Sequence, residues 1–154
     1  MRVSAGIVLY RRVGGGLEVL LAHPGGPLFT RRDEGHWTIP KGEPDPDEPL
    51  TETARREFTE ETGQDPGAGP MLPLGSIVQK GGKVVHAWAA EGELDPALAR
   101  SDTFQMTWPP GSGRVQAFPE IDRVAWFDPA EARRRIKAAQ IPLLDRLEEA
   151  LAET

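Results

Sequence analysis

An α/β fold, a mixed sheet flanked by helices, follows from three features of this 154-residue sequence. Short apolar runs bounded by glycine turns recur through Ala90 and again between Thr103 and Phe127. One helix-patterned stretch has a start signal at residues 45–49 and a stop at Gly63, and a C-terminal stretch repeats Leu143, Leu147 and Leu151. The length fits one domain, 1–154, large enough to bury a core.

Residues 3–10 alternate loosely and are rich in Val, Ile and Leu. After the turn Gly14-Gly15-Gly16, a second apolar run covers Leu17–Ala22, and the two read as strands. A loop of more than a dozen residues follows, from His23-Pro24-Gly25-Gly26-Pro27 to His36; loops of that length inside a domain are usually functional or mobile. Its histidines, His23 and His36, read as turn or packing residues. Trp37–Pro40 is expected to be a short strand, with Trp37 read as core in preference to a base-stacking platform.

The stretch Gly42–Gly63 comes next. Asp45, Pro46, Asp47, Glu48 and Pro49 make a helix start in which Asp47 can cap the free N–H groups and a proline costs nothing in the first turn. The helix is expected from about Glu48 to Thr62, with Gly63 able to take the left-handed conformation past its end. Leu50, Ala54 and Phe58 give it a buried stripe. Glu57, Glu60 and Glu61 fall within an arc of roughly 100° in the last turns. There the helix dipole favours cations, and like charges three and four apart repel. Helix stability alone would not place them so. A solvated acidic face is the plain reading of any Glu-Glu pair; a bound cation such as Mg²⁺ or Mn²⁺ is the sharper one.

After the helix, Asp65–Pro73 is a loop, and Leu74–Gln79 with Lys83–Ala90 about Gly81-Gly82 make a hairpin. His86 and Trp88 share a face of its second strand. Asp95–Arg100 reads as a helical turn, Thr103–Trp108 as a strand, and Trp108-Pro109-Pro110-Gly111-Ser112-Gly113-Arg114 as a turn-rich loop. Val115–Phe127 is strand-like with an interruption at Pro119-Glu120. Asp128-Pro129 starts a helix expected to run to about Ala139, whose Arg133-Arg134-Arg135 read as solvated. Pro142 starts the last helix.

The positions Gly42, Glu48, Arg56, Glu57, Glu60, Glu61 and Gly63 coincide by chance in only about one in 10⁵ chains of this length. They resemble the Nudix box, GX5EX7REUXEEXGU with U a bulky aliphatic residue. Phe58 fits the first U; Gln64 is a polar departure at the last, where a residue normally packs under the helix end. The lead-in Trp37-Thr38-Ile39-Pro40-Lys41-Gly42 is similar too, and weaker likeness runs from Ala5–Leu9 to Trp126-Phe127. The resemblance implies a Nudix α/β/α sandwich and Mg²⁺-dependent hydrolysis of a diphosphate linkage in a nucleoside-diphosphate-linked substrate: a nucleoside triphosphate, a dinucleoside polyphosphate or a nucleotide sugar.

Carried across residue by residue, the family's roles make Glu57, Glu60 and Glu61 metal ligands, with the Gly42 carbonyl as a further one, and Mg²⁺ the cofactor with Mn²⁺ as its substitute. One of these glutamates, or Glu120, takes the proton of the attacking water. Arg56 orients the carboxylates, with Glu48 as its structural partner. Lys41, beside Gly42, reads equally as a phosphate contact or a structural ion pair. Arg31, Arg32 and Arg114 are candidate phosphate contacts against a plain surface role, and Trp88 and Trp108 candidate base contacts against a core role. A tyrosine some way past the box often marks diadenosine-polyphosphate enzymes, and the only tyrosine here is Tyr10. The alternative in another class is a non-catalytic Nudix-like nucleotide-sensing module; an acidic protein-interaction domain is a third.

Composition narrows the rest. The net charge of −6 argues against general nucleic-acid binding, and residues 43–61 alone hold eight Asp or Glu against two Arg. The partner expected is a small diphosphate, with nucleotides favoured; a homodimer is compatible with the sequence. The absence of cysteine excludes disulfides and thiol chemistry. The N-terminal apolar run is too short for a signal peptide and none reaches membrane-spanning length, so a soluble cytoplasmic protein is expected.

Overall fold

The computed structural model describes residues 2–153. Its main sheet is built from β1 (Val3–Val13), β2 (Gly16–Pro24), the two-residue β3 (Lys41–Gly42), β4 (Leu72–Val78), β5 (Val84–Glu91) and β8 (Ile121–Phe127). The strand order is β4-β5-β1-β2-β8, with β3 pairing to β1. β1 runs parallel to β5 and antiparallel to β2, so the sheet is mixed. A separate hairpin joins β6 (Thr103–Thr107) to β7 (Val115–Pro119).

Side chains alternate across a strand, and β1 is covered on both faces. Ala5, Ile7 and Leu9 point to α1 (Leu50–Thr62) and pack with Ala54 and Phe58. Val8 and Tyr10 point the other way, to α2 (Pro129–Arg135) and α3 (Ile141–Ala152), and pack with Ala132, Leu143, Leu144 and Leu147. The result is the α/β/α sandwich with a mixed sheet that the sequence leads one to expect.

Several boundaries differ from the sequence reading, each for a local reason. The box helix begins at Leu50, because Asp47 sits at φ 62° in a turn closed by the Glu48 N–H on the Asp45 carbonyl. Asp47 therefore caps nothing, and Pro49 occupies the cap position without a side-chain bond. Trp37–Pro40 is no regular strand; Thr38 bridges Ala22, and Trp37 bridges Ile136. That second bridge explains why α2 stops at Arg135. Ile136 turns to extended backbone and is fully buried, while Trp37 bonds the Arg135 carbonyl and accepts from Lys137. Residues 138–140 then make a 3₁₀ turn leading into α3.

The arginines of α2 are paired: Arg133 with Asp145 and Glu148, Arg134 with Glu34 and Glu131, Arg135 with Asp33 and Glu131. Gln64, at the polar departure, donates to the Asp95 carbonyl at 2.8 Å and accepts from its N–H at 3.2 Å. An amide clasp thus replaces the apolar contact at the helix end. Among the described residues no helix is long and apolar enough to cross a membrane.

Candidate active site

The last two turns of α1 form one wall of a pocket of about 410 Å³ whose polar lining includes Glu57, Glu60, Glu61, Lys41, Asp102 and Glu120. β3 brings Lys41 and Gly42 to it by pairing with Gly6 and Ala5 of β1. A Cβ on Gly42 would lie 2.0 Å from the carboxyl carbon of Glu57. Only glycine lets the strand pass this close to the helix.

Arg56 organises the acids. Its Nε and Nη2 fork onto the two oxygens of Glu48, each at 2.9 Å, and Nη2 also donates to the Glu43 carbonyl at 3.0 Å. Nη1 reaches Glu57 at 2.9 Å and both oxygens of Glu60 at 3.1 Å. The Arg56 fork, then the Thr53 hydroxyl and the Asp45 N–H, hold the Glu48 carboxyl down to a pKa of about 2. Glu48 thus anchors Arg56 from outside the pocket, and Arg56 aims Glu57 and Glu60 into it.

Glu61 has a different environment. It receives one N–H, from Lys41 at 3.2 Å, and burial pushes its pKa up to about 8, with the charges of Glu57 and Glu120 adding to the rise. Burial also raises Glu57, against the pull of Arg56. Burial lowers the Lys41 ammonium to about 8, helped by the like charges of Lys83 and Lys137.

Two acids come from far along the chain. The Asp102 N–H donates to the Glu60 carbonyl at 2.9 Å, and the Arg100 N–H to the Thr62 carbonyl at 2.9 Å, so residues 100–102 close the end of α1. Glu120 is fixed at its backbone, donating to the Asp102 carbonyl at 2.8 Å and accepting from Gly25 at 2.9 Å. Sequence reasoning named Glu120 but missed Asp102, which carries no motif and gains its position from these two contacts.

The donor set fits a hard divalent cation. Carboxylate oxygens surround the pocket and the buried Glu61 has a single hydrogen-bond donor. Among the described residues no three acids or imidazoles are already closed into a cage; the Arg56 guanidinium sits between Glu57 and Glu60.

The other sequence candidates lie elsewhere. Trp88 packs with the apolar cluster under α1, and Trp108 stands at the β6–β7 turn, its N–H on the Arg114 carbonyl. Arg31, Arg32 and Arg114 are exposed, and none of these five lines the acidic pocket. The buried His23 ties the long loop down, Nε2 donating to the Arg32 carbonyl and Nδ1 lying 2.8 Å from the Asp122 carboxylate. A small apolar recess of about 140 Å³ opens between that loop and β6, lined by Leu28, Phe29, Phe104 and Met106.

The NUDIX domain family model matches residues 1–147. Among solved structures, the chain is similar to a Caenorhabditis elegans Ap4A hydrolase in a binary complex, at 26% identity over 100% of both chains with a TM-score of 0.67. It also shares its fold with the NUDIX domain of Shewanella oneidensis NrtR complexed with ADP ribose (19% identity, 98% of this chain and 88% of that one, TM-score 0.66). A mutT/nudix family protein from Listeria innocua matches at 19% identity over 99% and 94% of the two chains, TM-score 0.64.

Proposed function

This chain belongs to the Nudix family, and on that premise we propose that it is a divalent-cation-dependent pyrophosphohydrolase acting on a nucleoside-diphosphate-linked substrate. The observation that carries the reading is the pocket itself. Glu57, Glu60 and Glu61, aimed by Arg56 and β3, face Asp102 and Glu120 beside two lysines.

The glutamates and the Gly42 carbonyl are the groups to hold Mg²⁺, or Mn²⁺ in its place. Such an ion, when bound, neutralises phosphate oxygens and lowers the pKa of a water. The chain's own groups do the rest. Lys41 and Lys83 attract the anionic substrate, and Arg56 keeps Glu57 and Glu60 in fixed rotamers. Water attacks one phosphorus, an O–P bond forms, the bridging P–O bond breaks, and the departing phosphate keeps the bonding pair. The water's proton passes to a carboxylate, and Glu57, Glu61 and Glu120 are the candidates; burial raises the proton affinity of Glu57 and Glu61. The base of the nucleotide has two candidate seats, the Phe29–Phe104 recess and the more distant Trp108 with Arg114; Arg31, Arg32 and Trp88 complete the set of contacts to test.

A purely sensing module would not need its box carboxylates, and all are present: Arg56 clasps Glu48, Glu57 and Glu60, and the Lys41 N–H holds Glu61. The test is product analysis with Mg²⁺ across diadenosine polyphosphates, nucleoside triphosphates and ADP-ribose. The Glu60→Gln/Glu61→Gln variant should lose at least about 10²-fold in kcat while keeping its melting temperature within a few degrees. Undiminished turnover in that variant would sink the assignment. Nucleotide binding without turnover in the wild type would make the sensing module the better reading.

A further inference from the structure

The chain has 18 basic residues, of which only four are lysine: Lys41, Lys80, Lys83 and Lys137. All four lie together. Lys41 and Lys83 line the acidic pocket. Lys80 and Lys137 line a neighbouring cleft of about 370 Å³ that also includes Gly35 and Gln79. The β4–β5 turn joins the two, since the Gln79 N–H donates to the Lys83 carbonyl at 2.8 Å and the Gln79 side chain accepts from the buried Gln140 at 2.7 Å. The four come from three places in the chain: Lys41 on β3, Lys80 and Lys83 at this turn, and Lys137 just before the 3₁₀ turn of residues 138–140.

Their partners set them apart from most of the arginines. Arg2, Arg11, Arg12, Arg56, Arg123, Arg133, Arg134 and Arg135 all have carboxylates within ion-pair distance. Among the described residues no lysine side chain does, in a protein with 24 acids. Three of the lysines are also half-buried, and Lys137 has its ammonium destabilised by burial and by Lys83. Lys41 and Lys83 share the pocket with acids yet, among the described residues, close no ion pair, and stability alone does not account for gathering like charges in this way. A mobile ammonium is a point charge suited to phosphate oxygens in varied positions, where a guanidinium fork would fix one.

We propose that these lysines form a polyphosphate track that holds phosphoryl groups beyond the scissile linkage. The preferred substrate therefore carries about four or more phosphoryl groups, as a linear chain between two nucleosides or clustered on a polyol. This rests on the hydrolase reading above and adds the substrate class to it. The track ends on the acidic side at Glu61, which lines the same pocket as Lys41 and Lys83.

The first measurement is calorimetric titration of inorganic tripolyphosphate into the full chain in EDTA, where no hydrolysis interferes. Lys80→Ala/Lys137→Ala should weaken binding by about tenfold or more, with a reduced salt dependence, whereas Glu60→Gln/Glu61→Gln should bind at least as tightly as the wild type. Equal affinity in the lysine variant, or no binding to the wild type at millimolar anion, overturns the track. In the second, the ratio of kcat/KM for diadenosine tetraphosphate over diadenosine diphosphate should fall by about tenfold in the lysine variant. An inositol pyrophosphate arm separates the clustered from the linear source. A ratio that stays constant overturns the proposal. Lysine-dependent tripolyphosphate binding with no hydrolysis of any substrate supports the track and removes the hydrolase reading.

Discussion

Arginine meets carboxylate on both sides of the sheet, with different results. On one side a single guanidinium, Arg56, serves Glu48, Glu57, Glu60 and the Glu43 carbonyl from a half-buried position. On the other, Arg133, Arg134 and Arg135 share acids on α2, α3 and the long loop; Arg134 is mostly in water, while Arg135 is as covered as Arg56 but, among the described acids, meets only Asp33 and Glu131. Exposed pairs are screened and exchange readily with solvent, so they tune a surface. At Arg56 the geometry is over-determined, and removing it leaves acids facing one another. Number of ion pairs says little about consequence; burial and convergence decide it.

The largest break in this contrast should come from Arg56→Ala. It leaves Glu48, Glu57 and Glu60 without their common partner and should cost about 2–3 kcal/mol, less than breaking a fully buried pair, because 28% of the side chain remains exposed. Activity should fall at least about 10²-fold, since the carboxylates lose their aim. Arg56→Lys should recover the charge without recovering the rate, because one ammonium cannot replace the fork. Denaturant melts and steady-state kinetics on both variants check this; full activity in the lysine variant would show that charge alone suffices.

Acidity sharpens the comparison next. The Glu61 carboxyl is raised in the folded chain, so the folded state holds a proton there that the unfolded state has released. Stability from this group is therefore complete below about pH 4 and is lost as pH rises through about 8. In EDTA the melting temperature should decline over that window, and Glu61→Gln should flatten the decline. Glu48 acts with the opposite sign: its depressed carboxyl adds stability above the unfolded pKa, lost as pH falls from about 4 through about 2. Thermal melts across pH with and without Mg²⁺ read both, and an unchanged slope in Glu61→Gln would assign the buried proton elsewhere.

The smallest effect belongs to the opposite face. Arg133→Gln breaks contacts to Asp145 and Glu148, yet should shift stability by less than about 1 kcal/mol and leave turnover alone. A larger loss would mean that the exposed network holds α2 against α3.

The box helix, the grouping of Glu57, Glu60 and Glu61 on its last turns and the order of elements were legible in the sequence because they depend on local spacing. Gly42 could be singled out by pattern, although its reason, the Glu57 carboxyl against its Cα, lies across the fold. What escaped was set by distant contacts. Asp102 is held by the end of α1, Ile136 is drawn inward by Trp37, and Asp47 is turned left-handed by the Asp45–Glu48 closure. Residues with no periodicity of their own carry no signal until their partners are placed. The lysines show the same limit: scattered at 41, 80, 83 and 137, they look unremarkable until the β4–β5 turn and the end of α2 are brought beside β3.

The closure of α1 by residues 100–102 has a bearing on how this molecule opens. A free helix end frays within its last turn, and here that turn carries Glu60 and Glu61. With the Arg100 and Asp102 amides bonded to the Thr62 and Glu60 carbonyls, fraying requires a segment forty residues away to detach at the same moment. The amides of the cleft floor should then exchange with deuterium only in concert with those of Arg100 and Asp102, as one cooperative unit, while the β6–β7 hairpin beyond them exchanges on its own faster clock.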